Sequence, residues 1–153
     1  MSTATPVKSE PARTDESRAA EPPRTASLDL PASPQSARAA RCFATAALAE
    51  WRLSDLSDDV DVVISELITN ALLHARADRR AAADAGIRLD LEYDGGTLIC
   101  RVADGSALPP APEQAVDTAE SGRGLLLVDA LSAAWGWSHE PSGKVVWASF
   151  DAR

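Results

Sequence analysis

Long apolar stretches are missing from this chain. Its longest pure run of large apolar residues is Leu125 to Val128, far short of the roughly 18 needed to cross a bilayer, which argues against a membrane-spanning protein. Basic charge is also scarce. Fifteen Lys and Arg stand against 23 Asp and Glu, giving a formal net charge of −8 and a pI near 4.7. A surface built for direct nucleic-acid binding normally carries a basic stripe, so that class is disfavoured. Cysteine is limited to Cys42 and Cys100, with no C-x-x-C and no clustered histidine. Neither a zinc site nor a disulfide framework is indicated, and both thiols read as small buried core residues of a reducing cytoplasm. The first 26 residues have almost no large apolar side chain and hold four basic residues (Lys8, Arg13, Arg18, Arg24) and four acids (Glu10, Asp15, Glu16, Glu21). With that composition the segment cannot offset the entropy of ordering, so residues 1–26 are expected to be a disordered tail. It has no apolar core of the kind a secretory signal requires.

What remains, residues 27–153, carries all of the excess negative charge and is long enough for one domain with a proper core. An extended stretch around Ser27 to Leu30 leads to a turn at Pro31 and Pro34. A helix capped by Ser33 or Ser36 then runs to about Trp51, with Ala39, Cys42, Phe43, Ala46, Ala47 and Trp51 on its apolar face. A second helix, with Ser54 or Ser57 as cap, carries Asp58, Asp59 and Asp61 in its first turn, where they suit the helix dipole, and extends to about Ala75. Alternation begins at Ile87: Ile87, Leu89, Leu91 and Tyr93 point one way, and Arg88, Asp90 and Glu92 the other. Asp94-Gly95-Gly96 marks a hairpin, and Thr97 to Ala103 is the returning strand. Residues 104–122 have no usable period and are rich in proline; a loop that long is usually functional, for example as a lid. A helix from Arg123 to Leu131 and two strands, 134–140 and 144–150, close the chain. The sum is an α+β two-layer sandwich, a mixed and mostly antiparallel sheet with helices on one face.

The second helix has an unusual inner side. Residues four apart share a helix face, so Glu66, Asn70 and His74 form a polar stripe beside an apolar one of Val60, Val63, Ile64, Leu67 and Ala71. Buried polar groups need partners, and a ligand carrying phosphates and a metal ion would supply them. An E-x-x-x-N pair alone is usually only a solvated face. Two further segments give it company, D104-G-S106 and G122-R-G-L125. Each has an ordinary reading too: D-G as a turn, and G-x-G as a loop-to-helix junction.

Taken in order and spacing, E66-L-I-T-N70, D104-G-S106 and G122-R-G-L125 resemble the N, G1 and G2 boxes of the Bergerat-fold (GHKL) ATPases. With the W-G-W and G-K-V-V-W ending, residues 28–150 or so are similar to the small anti-sigma-factor serine/threonine kinases. The resemblance implies ATP and Mg2+ as ligands. Asp104 would accept the exocyclic amino proton of adenine, a charged hydrogen bond worth about 1.5–3 kcal/mol, and would repel the carbonyl of guanine. Gly105, Gly122, Gly124 and Leu125 would belong to the nucleotide cradle, with free amides at the start of the following helix aimed at phosphate. Arg123 would touch phosphate or lie in solvent. Asn70 would give its amide oxygen to magnesium, and Glu66 would act as general base or orient the nucleophile through a water. His74 reads as a packed helix residue, and Trp135, Trp137 and Trp147 as core or sheet face. The G1 segment departs from the D-x-G-x-G of histidine kinases, with Ala107 and Pro109-Pro110 following Ser106, so the lid is expected to differ.

The resemblance further implies a cytoplasmic kinase that phosphorylates an anti-anti-sigma-type protein and binds a sigma factor, commonly as a homodimer through the helix layer. Histidine kinases present a phosphoacceptor histidine on a helical hairpin, and this chain offers only His74 and His139. Two alternatives stay open: a non-catalytic ATP-binding module that sequesters its partner, and a nucleotide-independent scaffold with vestigial boxes.

Overall fold

The computed structural model describes residues 22–77, 86–106, 108–110 and 119–152, with 76, 77 and 119–123 in backbone only. The chain runs β1 (Arg24–Leu30), α1 (Ser36–Glu50), a 3-10 turn (Ser54–Leu56), α2 (Ser57–Ala77), β2 (Ile87–Asp94), β3 (Thr97–Asp104), α3 (Ala119–Leu131), β4 (Ala134–Glu140) and β5 (Gly143–Asp151). The five strands form one sheet in the order β1-β2-β3-β5-β4. Every pairing in it is antiparallel, where a mixed sheet was expected. The α+β two-layer sandwich itself is present. Three helices pack side by side, α2 in the middle and lying over β3.

The strand that opens the domain starts at Arg24, inside the segment expected to be disordered. Arg24, Thr25 and Ala26 pair with Tyr93, Glu92 and Leu91 of β2. Composition misjudged these three residues because their ordering comes from a partner strand 60-odd positions away, not from apolar side chains of their own. The rest of the expected tail, residues 1–21, lies outside the described residues.

α2 holds the core together. Val60, Val63, Ile64, Leu67, Ile68 and Ala71 are all 2 % exposed or less, the stripe expected from the spacing with Ile68 added. Each large member contributes about 1.5–3 kcal/mol by burial. α1 is rotated relative to expectation: Ala40, Ala44, Ala47 and Leu48 face inward, and Cys42 is exposed rather than core. In a helix so rich in alanine the weak residues do not set the face; Leu48 and Trp51 do, and both are buried. Neither Ser33 nor Ser36 caps α1. Gln35 holds that position without a side-chain bond to the helix amides, its Oε1 accepting from the Ser33 hydroxyl, and the Ser36 hydroxyl donates to the Pro31 carbonyl. At the other end Arg52 takes a positive φ of 62°, and Leu53 N–H reaches back to Leu48 O at 2.7 Å, a Schellman closure whose two leucines are both buried in the core.

The β2–β3 hairpin turns on Gly95 and Gly96, both at positive φ (63° and 89°), which is the two-residue turn whose twist suits an antiparallel pair. Ile87, Leu89 and Leu91 are buried on the helix side. On the opposite face of the sheet, Arg101 and Glu92 form a 3.2 Å ion pair. Cys100 is buried, as expected, and exclusion from water pushes its thiol up to about 12. The three tryptophans also fall where core and sheet positions were expected: Trp135 is 9 % exposed and Trp147 4 %, while Trp137 is partly buried against the core.

Candidate functional site

The polar stripe of α2 lies along the same helix that supplies the core. His74 is 6 % exposed, and Glu66 and Asn70 are half-buried. The helix geometry alone aligns them, and the apolar stripe next to them fixes which way they face. Among the described residues, the Asn70 Oδ1 atom is buried with no hydrogen-bond partner. A buried carbonyl-type oxygen without a donor carries a penalty of about 1–3 kcal/mol, and a hard oxygen of this kind is what a magnesium ion takes as ligand. On that chemistry the position fits a metal ion.

α3 meets α2 at Glu66. A Cβ placed on Gly124 would lie 2.8 Å from Glu66 Oε1, so only glycine leaves the carboxylate where it is. The N-box glutamate and the second glycine of the G2 segment, 58 positions apart, are therefore in contact. Leu125, the next residue, is 7 % exposed and sits in the hydrophobic core, so it anchors α3. The expected junction is displaced, however. α3 begins at Ala119, so Gly122 and Gly124 lie within the helix rather than ahead of it, and the free amides of its first turn come from residues 119–122. Proline content suppressed the helical period upstream of Arg123, and glycine reads from sequence as a breaker although within a helix it costs only about 1 kcal/mol. The Arg123 side chain and most of the expected lid, residues 107 and 111–118, lie outside the described residues.

Asp104 ends β3, one residue later than expected, and is 7 % exposed. Its Oδ1 accepts the Ser106 N–H at 2.7 Å, closing a small turn that carries Gly105 and brings Ser106 to full burial. A second partner was not foreseen. Lys144, with no exposed surface, places Nζ 3.1 Å from Asp104 Oδ1 and 3.0 Å from Oδ2. Register explains the meeting: Asp104 pairs with Lys144 across β3 and β5, and both side chains point to the helix side. Gly143 makes room for it. Its φ is +155°, and a Cβ there would stand 2.8 Å from Gly105 Cα and 2.9 Å from the Asp104 carbonyl carbon. The signal in the sequence was the G-K pair after the Pro141-Ser142 turn, since a lysine at an inward strand position needs an acid opposite.

Asp104 and Gly105 also line a cavity of about 460 Å³ at the strand ends, with Leu30, Gly86, Ile87 and Ser142 among the walls. Glu66 and Asn70 are not among its described walls. The structure thus builds two clusters, Glu66 with Gly124 at the α2–α3 seam and Asp104 with Lys144 at the end of β3, joined by the packing of α2 over β3.

An antiparallel sheet with one described helix layer, a polar stripe on the central helix and a buried acid at the end of the middle strand define a class, the two-layer α+β sandwiches. The family model for the histidine kinase-like ATPase domain matches residues 30–150, and the chain belongs to that family. The fold is similar to the crystal structure of the RsbU and RsbW domains of Rv1364c from Mycobacterium tuberculosis, with a TM-score of 0.58 and 22 % identity over 87 % of this chain. The match takes in 34 % of that longer chain, so the present protein spans about a third of it. No curated protein matches the chain. Among the described residues, no helix is long and apolar enough to cross a membrane.

Proposed function

We propose that the protein is an ATP-dependent serine/threonine kinase of the anti-sigma type. The γ-phosphoryl group of ATP passes to a seryl or threonyl hydroxyl of a small anti-anti-sigma-type protein, and the hydroxyl proton leaves toward Glu66, directly or through a water. The observation that carries this reading is the contact between Gly124 and the Glu66 carboxylate, which links the two motifs that must cooperate in transfer. In this reading Asp104 binds adenine, while Gly105, Arg123 and the free amides of the first turn of α3, that of Gly122 among them, frame the phosphates; Gly124 leaves room for Glu66 and Leu125 anchors the helix from the core. Asn70 Oδ1, buried without a partner, would hold the magnesium ion. When bound, that ion supplies charge neutralisation on the phosphates; the protein's own share is positioning and a well-placed carboxylate. Likeness in fold to a chain with an RsbW domain supports the same direction, as do the three boxes in order.

The reading includes a cytoplasmic location and a homodimer formed through the helix layer. The test is incubation with labelled Mg-ATP and the cognate partner. Phosphoserine or phosphothreonine is expected on the partner, and Glu66→Ala is expected to lower transfer by about 10²–10⁴-fold with nucleotide binding retained. If ATP binds and no phosphoamino acid forms, the second reading replaces the first: a binding module, with ATP as a regulatory ligand, that works by sequestering a sigma factor. Loss of nucleotide binding altogether would leave only the scaffold.

A further inference from the structure

The Lys144 ammonium is a group the reading above does not use, and its position is unusual. Lysine is rarely excluded from water unless paired, and this one has no exposed surface. It is aimed at the residue expected to choose the base, within 3.1 Å of one Asp104 oxygen and 3.0 Å of the other. Two backbone devices serve that placement. Gly143 at φ +155° brings the start of β5 against the Asp104–Gly105 backbone, and the β3–β5 register sets the two side chains opposite each other on the same face.

A carboxyl group excluded from water favours its neutral form unless a cation stands beside it. The two forms read different bases. An ionised carboxylate only accepts hydrogen bonds, whereas a protonated one also donates. Adenine presents an amino donor at its 6-position; hypoxanthine and guanine present a carbonyl there. Discrimination between them therefore depends on Asp104 being held as an acceptor.

We propose that Lys144 is a positioning residue that sets base selectivity: by pairing with both oxygens of Asp104 it holds the carboxylate as an acceptor, so that 6-amino purines are taken and 6-oxo purines rejected. This rests on Asp104 being the adenine-binding residue. Lys144 needs no contact with the nucleotide in this role. If its ammonium faced the base instead, it would donate to a 6-oxo group, and its removal would sharpen the preference for adenine.

The experiment is titration of the full chain with ATP and with inosine triphosphate, which differ in the 6-substituent and the N1 proton, in the presence of magnesium. The readout is the dissociation constant for inosine triphosphate divided by that for ATP. Lys144→Met is expected to lower the ratio by about tenfold or more, the factor that corresponds to one charged hydrogen bond, and Lys144→Arg to restore most of it. Because Lys144→Met strands a buried acid and can fail to fold, Lys144→Gln is measured beside it. The glutamine amide still donates to Asp104 but carries no charge, and the ratio is expected to fall there as well. General loosening of the site would weaken both nucleotides together and leave the ratio in place. An unchanged or increased ratio in a folded Met or Gln variant overturns the proposal. Failure of the wild-type protein to take up either nucleotide would instead remove the adenine reading beneath it.

Discussion

Replacing Gly143 by alanine should be the most damaging single-methyl change in the domain. At φ +155° an L side chain is strained, which costs about 1–3 kcal/mol. The new Cβ would also stand 2.8 Å from Gly105 Cα and 2.9 Å from the Asp104 carbonyl carbon, and closer still to the carbonyl oxygen. All of these are backbone atoms, which cannot rotate aside, so the start of β5 must separate from the end of β3. Overpacking of this kind adds about 1–3 kcal/mol. The sum is roughly 2–6 kcal/mol, and for a domain of this size a kcal/mol is worth about 3–5 °C in Tm, so a fall of roughly 6–30 °C is expected. Gly96→Ala is the control, because its φ is also positive (+89°) while its nearest neighbour is 3.8 Å away. Only the conformational penalty of about 1–2 kcal/mol applies there. Both variants should be melted and unfolded in urea with helix signal as the readout, and their nucleotide affinity measured below the transition. Gly143→Ala should lose ATP affinity as well, because the Asp104–Lys144 pair sits at the disturbed junction, whereas Gly96→Ala should keep it. If Gly143→Ala proves no less stable than Gly96→Ala, the close approach described above is not a property of the folded protein.

Gly124→Ala should separate stability from activity. Removing a helical glycine stabilises by up to about 1 kcal/mol, and the Glu66 side chain can swing away from the new methyl. A carboxylate misplaced by about 1 Å is expected to lower phosphoryl transfer by on the order of 10²-fold, and full activity in a folded variant would remove Glu66 from the transfer step. The two thiols should differ in reactivity: at pH 8 a thiol reagent should label exposed Cys42 in the native protein and reach Cys100, its thiol pushed up to about 12, only after unfolding. The same shift predicts alkaline instability. The unfolded chain releases the Cys100 proton near 9 and the folded one near 12, so its contribution is complete below pH 9 and is lost progressively between about 9 and 12. A Cys100→Ala variant whose melting temperature falls just as steeply over that range would contradict this.

Legibility followed the strength of local pattern. α2 could be placed from sequence because Val60, Val63, Ile64 and Leu67 recur at helical spacing and all end up buried. The β2–β3 hairpin was equally plain, with strict alternation on one side and Gly95-Gly96 at the turn. α1 was found but turned the wrong way, since alanine fits either face and Cys42 offered a false anchor. Of the candidate site, Glu66, Asn70 and Asp104 fall on the elements expected, yet the G-K pair implies only that Lys144 needs an acid opposite, and nothing local says that the acid is Asp104, 40 positions earlier. That contact is a product of strand register, which depends on how the whole sheet is laid down. The early start of α3 is tertiary in origin too, because a chain segment with proline before it and two glycines within it has little helical preference of its own.

The Asp104–Lys144 pair also acts as a proofreader of sheet assembly. Sliding β5 by one residue along β3 would turn Lys144 to the opposite face and leave the acid facing a neighbour without charge, so a misaligned sheet would strand a carboxylate in the interior. The penalty for such an error falls on the strands that carry the candidate base-reading residue, which means that a chain folded out of alignment is disfavoured before any ligand is offered to it.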